Sequence, residues 1–384
     1  MTPRERLLCV LQGQTPDRVP VSPFVQETYL SYYFKKTKTD RLLDAKILAD
    51  ELDFDLMSRI FRYATPEAML KCAQNWDLSI DVSINRGICT RTTTIQTPVR
   101  VLRQVEAAPY VPAKIGGTVF SNVEYLIKDA DDFEAFRKYM PKMSLEYRTE
   151  VLEYAKFSRN YIENRGITVP WTYGSVYNQA SHFIDVQDMM VDALADEDYY
   201  QEYMRFFTDL CLEGVELYAQ SEFDAMGFQG NIANGALMGP DYFRKQVMPF
   251  EQELLLAAKA AGKPTVYHNC GKAKNLYPCY ADMGFTVWET ISESPVGDNT
   301  LEQAKQYFAD AHILCGNLDQ VHFLKTASPE EVRQRTRQTV LTGKPGAHYI
   351  FACSDFLEEN TPLENIRAMI AEAKAAGRYD GPSE

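Results

Sequence analysis

The 384-residue chain is predicted to fold as a (β/α)8 barrel, and three observations carry that expectation. From about residue 165, short apolar runs alternate with amphipathic helical segments across loops containing Gly, Asn or Pro, as βαβ units on a parallel sheet do. Six such runs follow one another: ITVPWTY, FDAMGFQ, PTVYHNC, FTVWETI, HILCGNL and YIFACSD. Two earlier runs, RVPVSPF and FDLMSRIF, bring the set to eight. A doubly wound α/β sheet is the alternative arrangement.

At the N-terminus, TPRERLLCVLQG reads as a helix with both ends marked: Thr2 as cap, Pro3 at the first helical position, Glu5 completing a capping box and Gly13 past the last apolar residue. This begins a helical elaboration ahead of the barrel. A Thr-, Val- and Ile-rich stretch broken by QTP predicts a β-hairpin insertion around residues 87–124. Later helices are well punctuated, as in SPEEVRQRTRQTVLTG, where Ser328 is the cap and Glu331 stands three residues on. The whole span 1–384 is read as a single barrel domain.

A net charge of −13 excludes binding through a nucleic-acid backbone, which needs clustered Lys and Arg. No run of about 18 apolar residues occurs, and MTPRERLL is charged from its third position, so neither a membrane span nor a secretory leader is expected and the protein is read as cytoplasmic. Eight scattered cysteines then read as free thiols or metal ligands rather than disulfides.

Active sites of such barrels lie at the C-terminal ends of the strands. The third to eighth runs finish in Trp171 and Tyr173, Gln229 and Asn231, His268 and Cys270, Glu289, Cys315, and Cys353 with Asp355. A lone strand cysteine is usually a core residue. Three cysteines, a histidine and a glutamate converging from four successive strands are instead a zinc-type donor set, and a spacing of two puts His268 and Cys270 on one face. Ligands gathered from several strands, without a local CxxC pair, suggest a catalytic metal with an open position.

Taken together, the opening TPRERLLCVLQGQTPDRVPV, the YHNCGK strand, the CGNLDQ strand and the closing SDFLEENTPLENIRAMI resemble the uroporphyrinogen decarboxylase superfamily over nearly the full length. Decarboxylation of uroporphyrinogen itself is disfavoured, because VSPFVQETYLSYYF carries no arginine after the first strand and FACSDFLEEN no histidine near the last. The resemblance implies the zinc-dependent branch that moves methyl groups to or from a corrinoid protein. In its methanol and methylamine coenzyme M members a His-x-Cys pair and a later Cys hold zinc, which corresponds to His268, Cys270 and Cys353. In the veratrol-type aryl ether demethylases an acidic residue and two cysteines do so, which corresponds to Glu289, Cys315 and Cys353. The second set is preferred, with His268 or Cys270 completing or lining it.

The implied activity is transfer of a methyl group from a methoxylated aromatic substrate to a corrinoid protein. Alternatives are transfer from a methylcorrinoid to tetrahydrofolate or a thiol, decarboxylation of another substrate, or noncatalytic binding. Phe24, Tyr29, Trp171, Tyr173, Gln229, Asn231 and Asn234 would supply aromatic walls and a few polar groups for the substrate. A corrinoid protein and the methyl ether are the expected partners, and the resemblance admits a homodimer.

Overall fold

Thr2 and Glu5 form the anticipated capping box on the helix Pro3–Leu11, whose Leu7, Val10 and Leu11 enter the apolar interior formed by the strands. The computed structural model describes residues 1–59, 71–110, 120–172, 174–308 and 311–379. Its strands are β1 (Leu56–Ser58), β2 (Asp77–Asn85), β3 (Ile88–Gln96), β4 (Val101–Pro109), β5 (Ser121–Glu124), β6 (Gly166–Thr168), β7 (Met226–Gln229), β8 (Thr265–His268), β9 (Val287–Glu289), β10 (Ile313–Leu318) and β11 (Tyr349–Cys353).

Strands β7 to β11 form a parallel sheet in chain order, and β1 pairs parallel with β6. Short bridges close the circle. Trp171 bridges Gly227, with the Gly227 N–H donating to the Pro170 carbonyl at 2.9 Å and the Thr172 N–H to the Gly227 carbonyl at 2.8 Å. Across the other gap, Val21 bridges Phe351, Ser22 N–H donates to the Phe351 carbonyl at 2.8 Å, and Asp55 N–H donates to the Val21 carbonyl at 2.8 Å. The first expected run thus sits between β11 and β1, and the eight runs close into the barrel in sequence order. Ile60 and Phe61, at the end of the second run, lie outside the described residues.

Alternation sorts the strand side chains. Met57, Ile167, Val169, Ala225, Val266, Val287, Ile313, Cys315, Ile350 and Ala352 pack together inside the barrel. Their neighbours Tyr267, Trp288, Leu314, Tyr349, Phe351 and Cys353 join the larger core under the helices. The N-terminal helix covers the end opposite the mouth, where Arg4 pairs with Asp224 and donates to the Gly166 carbonyl at 3.2 Å.

The insertion is larger than the predicted hairpin: β2, β3, β4 and β5 form a four-stranded antiparallel sheet that begins at Asp77, ten residues before the expected boundary. The strand DLSIDVSIN alternates apolar and polar residues, but both faces are largely exposed, so burial does not reinforce its signal. Arg86 and Gly87 turn it into β3 with φ of 48° and 78°, the left-handed pair of a tight hairpin. Among the described residues no helix is long and apolar enough to cross a membrane.

Candidate metal centre

The run from Val266 to Cys270 carries the site out of the barrel interior. Val266 belongs to the inner core, and alternation places the His268 side chain above it toward the mouth. Asn269 turns the opposite way, donating from its amide to the Gly230 and Ala233 carbonyls at 3.1 and 3.2 Å, which ties the strand to the neighbouring loop. Gly271 follows with φ of 130°, where an L side chain would be strained, and its carbonyl accepts from the Asn299 amide at 2.9 Å.

Asp355 meets this pair from the loop after β11. Its N–H donates to Gln320 Oε1 at 3.2 Å, its Oδ1 accepts from Phe356 N–H at 2.8 Å, and Leu357 N–H donates to the Phe24 carbonyl at 2.9 Å. His268, Cys270 and Asp355 each offer a donor atom, and the three atoms lie within 4.8 Å of one another. His268 Nε2 is 4.0 Å from Asp355 Oδ1.

Glu289 stands behind the imidazole, its Oε2 3.1 Å from His268 Nδ1, while its other oxygen pairs with the Arg59 guanidinium. Burial opposes ionisation of Glu289, but the charge of Arg59 and the contact with His268 outweigh it and hold the carboxyl below its ordinary range. Burial likewise disfavours a charged imidazole. Hydrogen bonds to Cys270 and Glu289 and the charge of Asp355 nevertheless raise His268 well above its ordinary value. This is a site short of positive charge. With Nδ1 on the Glu289 carboxylate, the Nε2 edge is turned toward Asp355, the orienting arrangement found behind a metal-bound histidine.

One imidazole, one thiol and one carboxylate from two parts of the mouth fit zinc, a donor count that would leave a fourth position for an exchangeable ligand. Other expected ligands sit elsewhere. The Cys353 Sγ contacts Met369 Sδ at 3.8 Å on the helix Leu363–Ala376, and burial raises its thiol well above the ordinary value. It faces the helices because Tyr349, Phe351 and Cys353 share one parity while Ile350 and Ala352 take the interior. Cys315 is fully buried inside the barrel beside Glu289 in the register, and burial raises its thiol as well. The preferred set Glu289, Cys315 and Cys353 is therefore not brought together around one point.

The expected substrate residues also divide. Phe24 and Trp171 flank His268 with ring separations of 5.9 and 5.6 Å, and Gln229 is paired with His268 in the register. Gly227 makes the Trp171 placement possible, since a Cβ there would lie 2.6 Å from the indole. Asn231 keeps a buried Oδ1 without a partner. Tyr29 instead packs against Tyr32 and Tyr33, and Asn234 braces its own loop by donating to the Asn231 carbonyl at 2.9 Å. Tyr173 lies outside the described residues.

Residues 113–376 match the family described as Uroporphyrinogen decarboxylase (URO-D). The chain belongs to the uroporphyrinogen decarboxylase family. A methylcobamide:CoM methyltransferase MtaA from Methanosarcina barkeri (strain Fusaro) is 22% identical over 379 residues, covering 96% of this chain and 97% of the relative. A methylated-thiol–coenzyme M methyltransferase from Methanosarcina mazei is 24% identical over 216 residues, 56% of this chain and 54% of that protein. The match thus spans about half the length of that relative. A solved methyltransferase structure from Methanosarcina mazei has the same fold, with a TM-score of 0.68 at 17% identity over 98% of this chain and 99% of that one.

Two residues of this candidate site were not selected from the sequence. Asp355 stands at a recognised strand end, but Cys353 two positions earlier takes its place in the expected set. Arg59 lies two positions past the inward-facing Met57, so alternation alone points it into the mouth. The first-strand loop lacks arginine, as noted, yet the second strand supplies one, and Glu289 already engages it.

Proposed function

We propose that this URO-D family protein is a zinc-dependent methyltransferase that exchanges a methyl group between a corrinoid carried by a partner protein and a small substrate. The observation that carries the reading is the convergence of His268, Cys270 and Asp355 donors with Glu289 behind the imidazole. The similarity to MtaA along almost the whole chain supports the same direction.

Methyl transfer from the methylcorrinoid to a small thiol is the form the geometry favours. Both expected ligand sets include Cys353, which faces the helix layer, but His268 and Cys270 of the thiol-branch set keep their donors together, whereas Glu289 and Cys315 of the ether-branch set join no such donor cluster among the described residues. A zinc ion held by His268, Cys270 and Asp355 would supply Lewis acidity to a thiol or ether oxygen brought against it. The chain's own residues do the rest. Glu289 fixes the imidazole orientation, Gln320 and Phe356 fix Asp355, and Phe24 with Trp171 exclude water from the reacting groups.

Ether demethylation is kept as a second reading because Phe24, Trp171 and Phe356 form an aromatic wall beside His268, with Phe24 and Phe356 edge-on at 6.4 Å. Incubation of the zinc-loaded protein with methylcobalamin and a series of thiols tests the main reading through the visible spectrum of the corrinoid. Thiol-dependent loss of the methyl group, abolished in His268→Ala, is the expected result. If only methoxylated aromatics transfer methyl to Co(I) cobalamin, the second reading replaces the first. Inertness of the fully zinc-loaded protein toward thiols and ethers alike would overturn both.

A further inference from the structure

We propose that the free edge of β2 pairs with the same edge of a second copy of this chain, joining two insertion sheets across a two-fold axis at Val82. This interface is independent of the methyl-transfer reading. In the four-stranded sheet β2 is an outermost strand, bonded to β3 alone among the described residues. It runs nine residues, DLSIDVSIN, with no proline or lysine and an unbroken register against β3. Edge strands of soluble proteins are ordinarily blunted by such residues, by bulges or by brevity. The register shift of this sheet lies between β4 and β5, away from that edge.

Backbone direction shows which groups are free. The two-residue turn Arg86–Gly87 makes its flanking residues Asn85 and Ile88 a hydrogen-bonded pair. Alternation then gives β3 the odd-numbered residues of β2 and aims the N–H and C=O groups of Leu78, Ile80, Val82 and Ile84 outward. Leu78 agrees, because its N–H donates to Cys72 Sγ at 3.4 Å and its carbonyl accepts from the same thiol at 3.3 Å. That thiol closes the edge at Leu78. Ile80, Val82 and Ile84 keep outward groups with no partner among the described residues, and this open stretch is centred on Val82.

The centring selects a second copy. Antiparallel pairing about Val82 sets Val82 against itself and Ile80 against Ile84, so all three residues exchange both backbone hydrogen bonds with the second copy. Their side chains share one face and are 48%, 63% and 54% exposed for Ile80, Val82 and Ile84, so the pairing lines up three β-branched side chains from each copy. Charge agrees with this register. Asp81 falls opposite Ser83, and the acidic end at Asp77 comes beside Arg86 of the second copy, which has no ion pair among the described residues. Centring on Asp81 instead would set two carboxylates against each other and call on Leu78, which Cys72 already occupies. A strand pair of this size buries less than about 1,200 Å² in total, the class of weak and reversible association.

Sedimentation equilibrium of the full chain across the micromolar range is expected to show a monomer–dimer equilibrium. Val82→Lys sets two like charges on the axis, and Val82→Pro removes an outward N–H without touching the β3 ladder. Each should raise the dissociation constant at least about tenfold while far-UV circular dichroism matches the parent. An equimolar mixture of Val82→Lys and Val82→Glu should recover dimers, because only this register sets residue 82 against itself. Amide exchange followed by mass spectrometry should slow over residues 78–84 as the parent is concentrated, and not in Val82→Lys. A parent that stays monomeric throughout leaves the edge to a strand of another protein and overturns the proposal. A dimer that Val82→Lys leaves intact, with unchanged exchange in β2, puts the interface elsewhere and overturns it as well. Absence of dimers in the mixture would defeat the register about Val82.

Discussion

Cys353 and Asp355 stand two positions apart, and the contrast between them underlies the proposed donor set. Cys353 packs its sulfur on Met369, so Cys353→Ala should leave zinc stoichiometry unchanged and lower stability by roughly 1–2 kcal/mol through the cavity it creates. Asp355→Asn and Cys270→Ser should each lose most of the metal. Elemental analysis of the purified variants compares them directly, and a zinc-free Cys353→Ala with a zinc-replete Asp355→Asn would reverse the assignment. Glu289 acts one contact further out, holding the Nδ1 side of His268. Competition with a chelator should show zinc affinity reduced about 10- to 100-fold in Glu289→Gln, whereas a complete loss would make Glu289 a direct ligand.

Individual elements depend on buried charge at their ends. Asp55, fully buried just before β1, accepts from Arg6 at 2.6 Å, from Arg18 at 2.7 Å and from the Val21 N–H at 2.8 Å. It joins the N-terminal helix, the first barrel strand and β1. Asp55→Ala leaves the buried Arg18 guanidinium without its carboxylate while Arg6 keeps Asp17, and should cost about 3–5 kcal/mol in urea unfolding.

Glu251, buried on the helix Met248–Ala260, accepts the Tyr177 N–H at 3.1 Å at the start of the helix Val176–Ala180. Burial pushes its carboxyl from 4.5 up to about 7 despite these donated hydrogen bonds. Between those values the folded chain keeps a proton that the unfolded chain has released, so this residue's contribution to stability declines as pH rises from 4.5 to about 7 and is level above. Glu251→Gln should remove that decline and gain up to about 3 kcal/mol over the parent at pH 8, with little difference near pH 4. Parallel stability–pH curves for the two proteins would contradict it.

At the scale of the whole molecule, the proposed metal site is small beside the core, and the apolar clusters do not include its donors. Removal of zinc should leave the far-UV circular dichroism unchanged and lower Tm by only a few degrees, because ligand binding adds about 3 kcal/mol at a hundredfold excess over Kd. Loss of secondary structure on chelation would show instead that the barrel depends on the ion. Local sequence signals already define much of this architecture. The capping box at Thr2 and Glu5, the apolar runs and the His268–Cys270 spacing depend on neighbours a few residues apart; seven of the eight runs hold strands where the sequence places them, and the first contributes a bridge at Val21. The strand β2 was missed because its alternation is not matched by a buried face.

What the sequence by itself determined is the order of strands and the chemistry available at their ends, since alternation and capping are local properties of the chain. Which of those end residues meet was decided only by the closed barrel. Strand parity turned Cys353 toward the helices, the loop after β11 brought Asp355 to His268 and Cys270, and the second strand delivered Arg59 to Glu289 across 230 residues of sequence. Such meetings depend on register and closure around the whole ring, which no stretch of a few residues encodes.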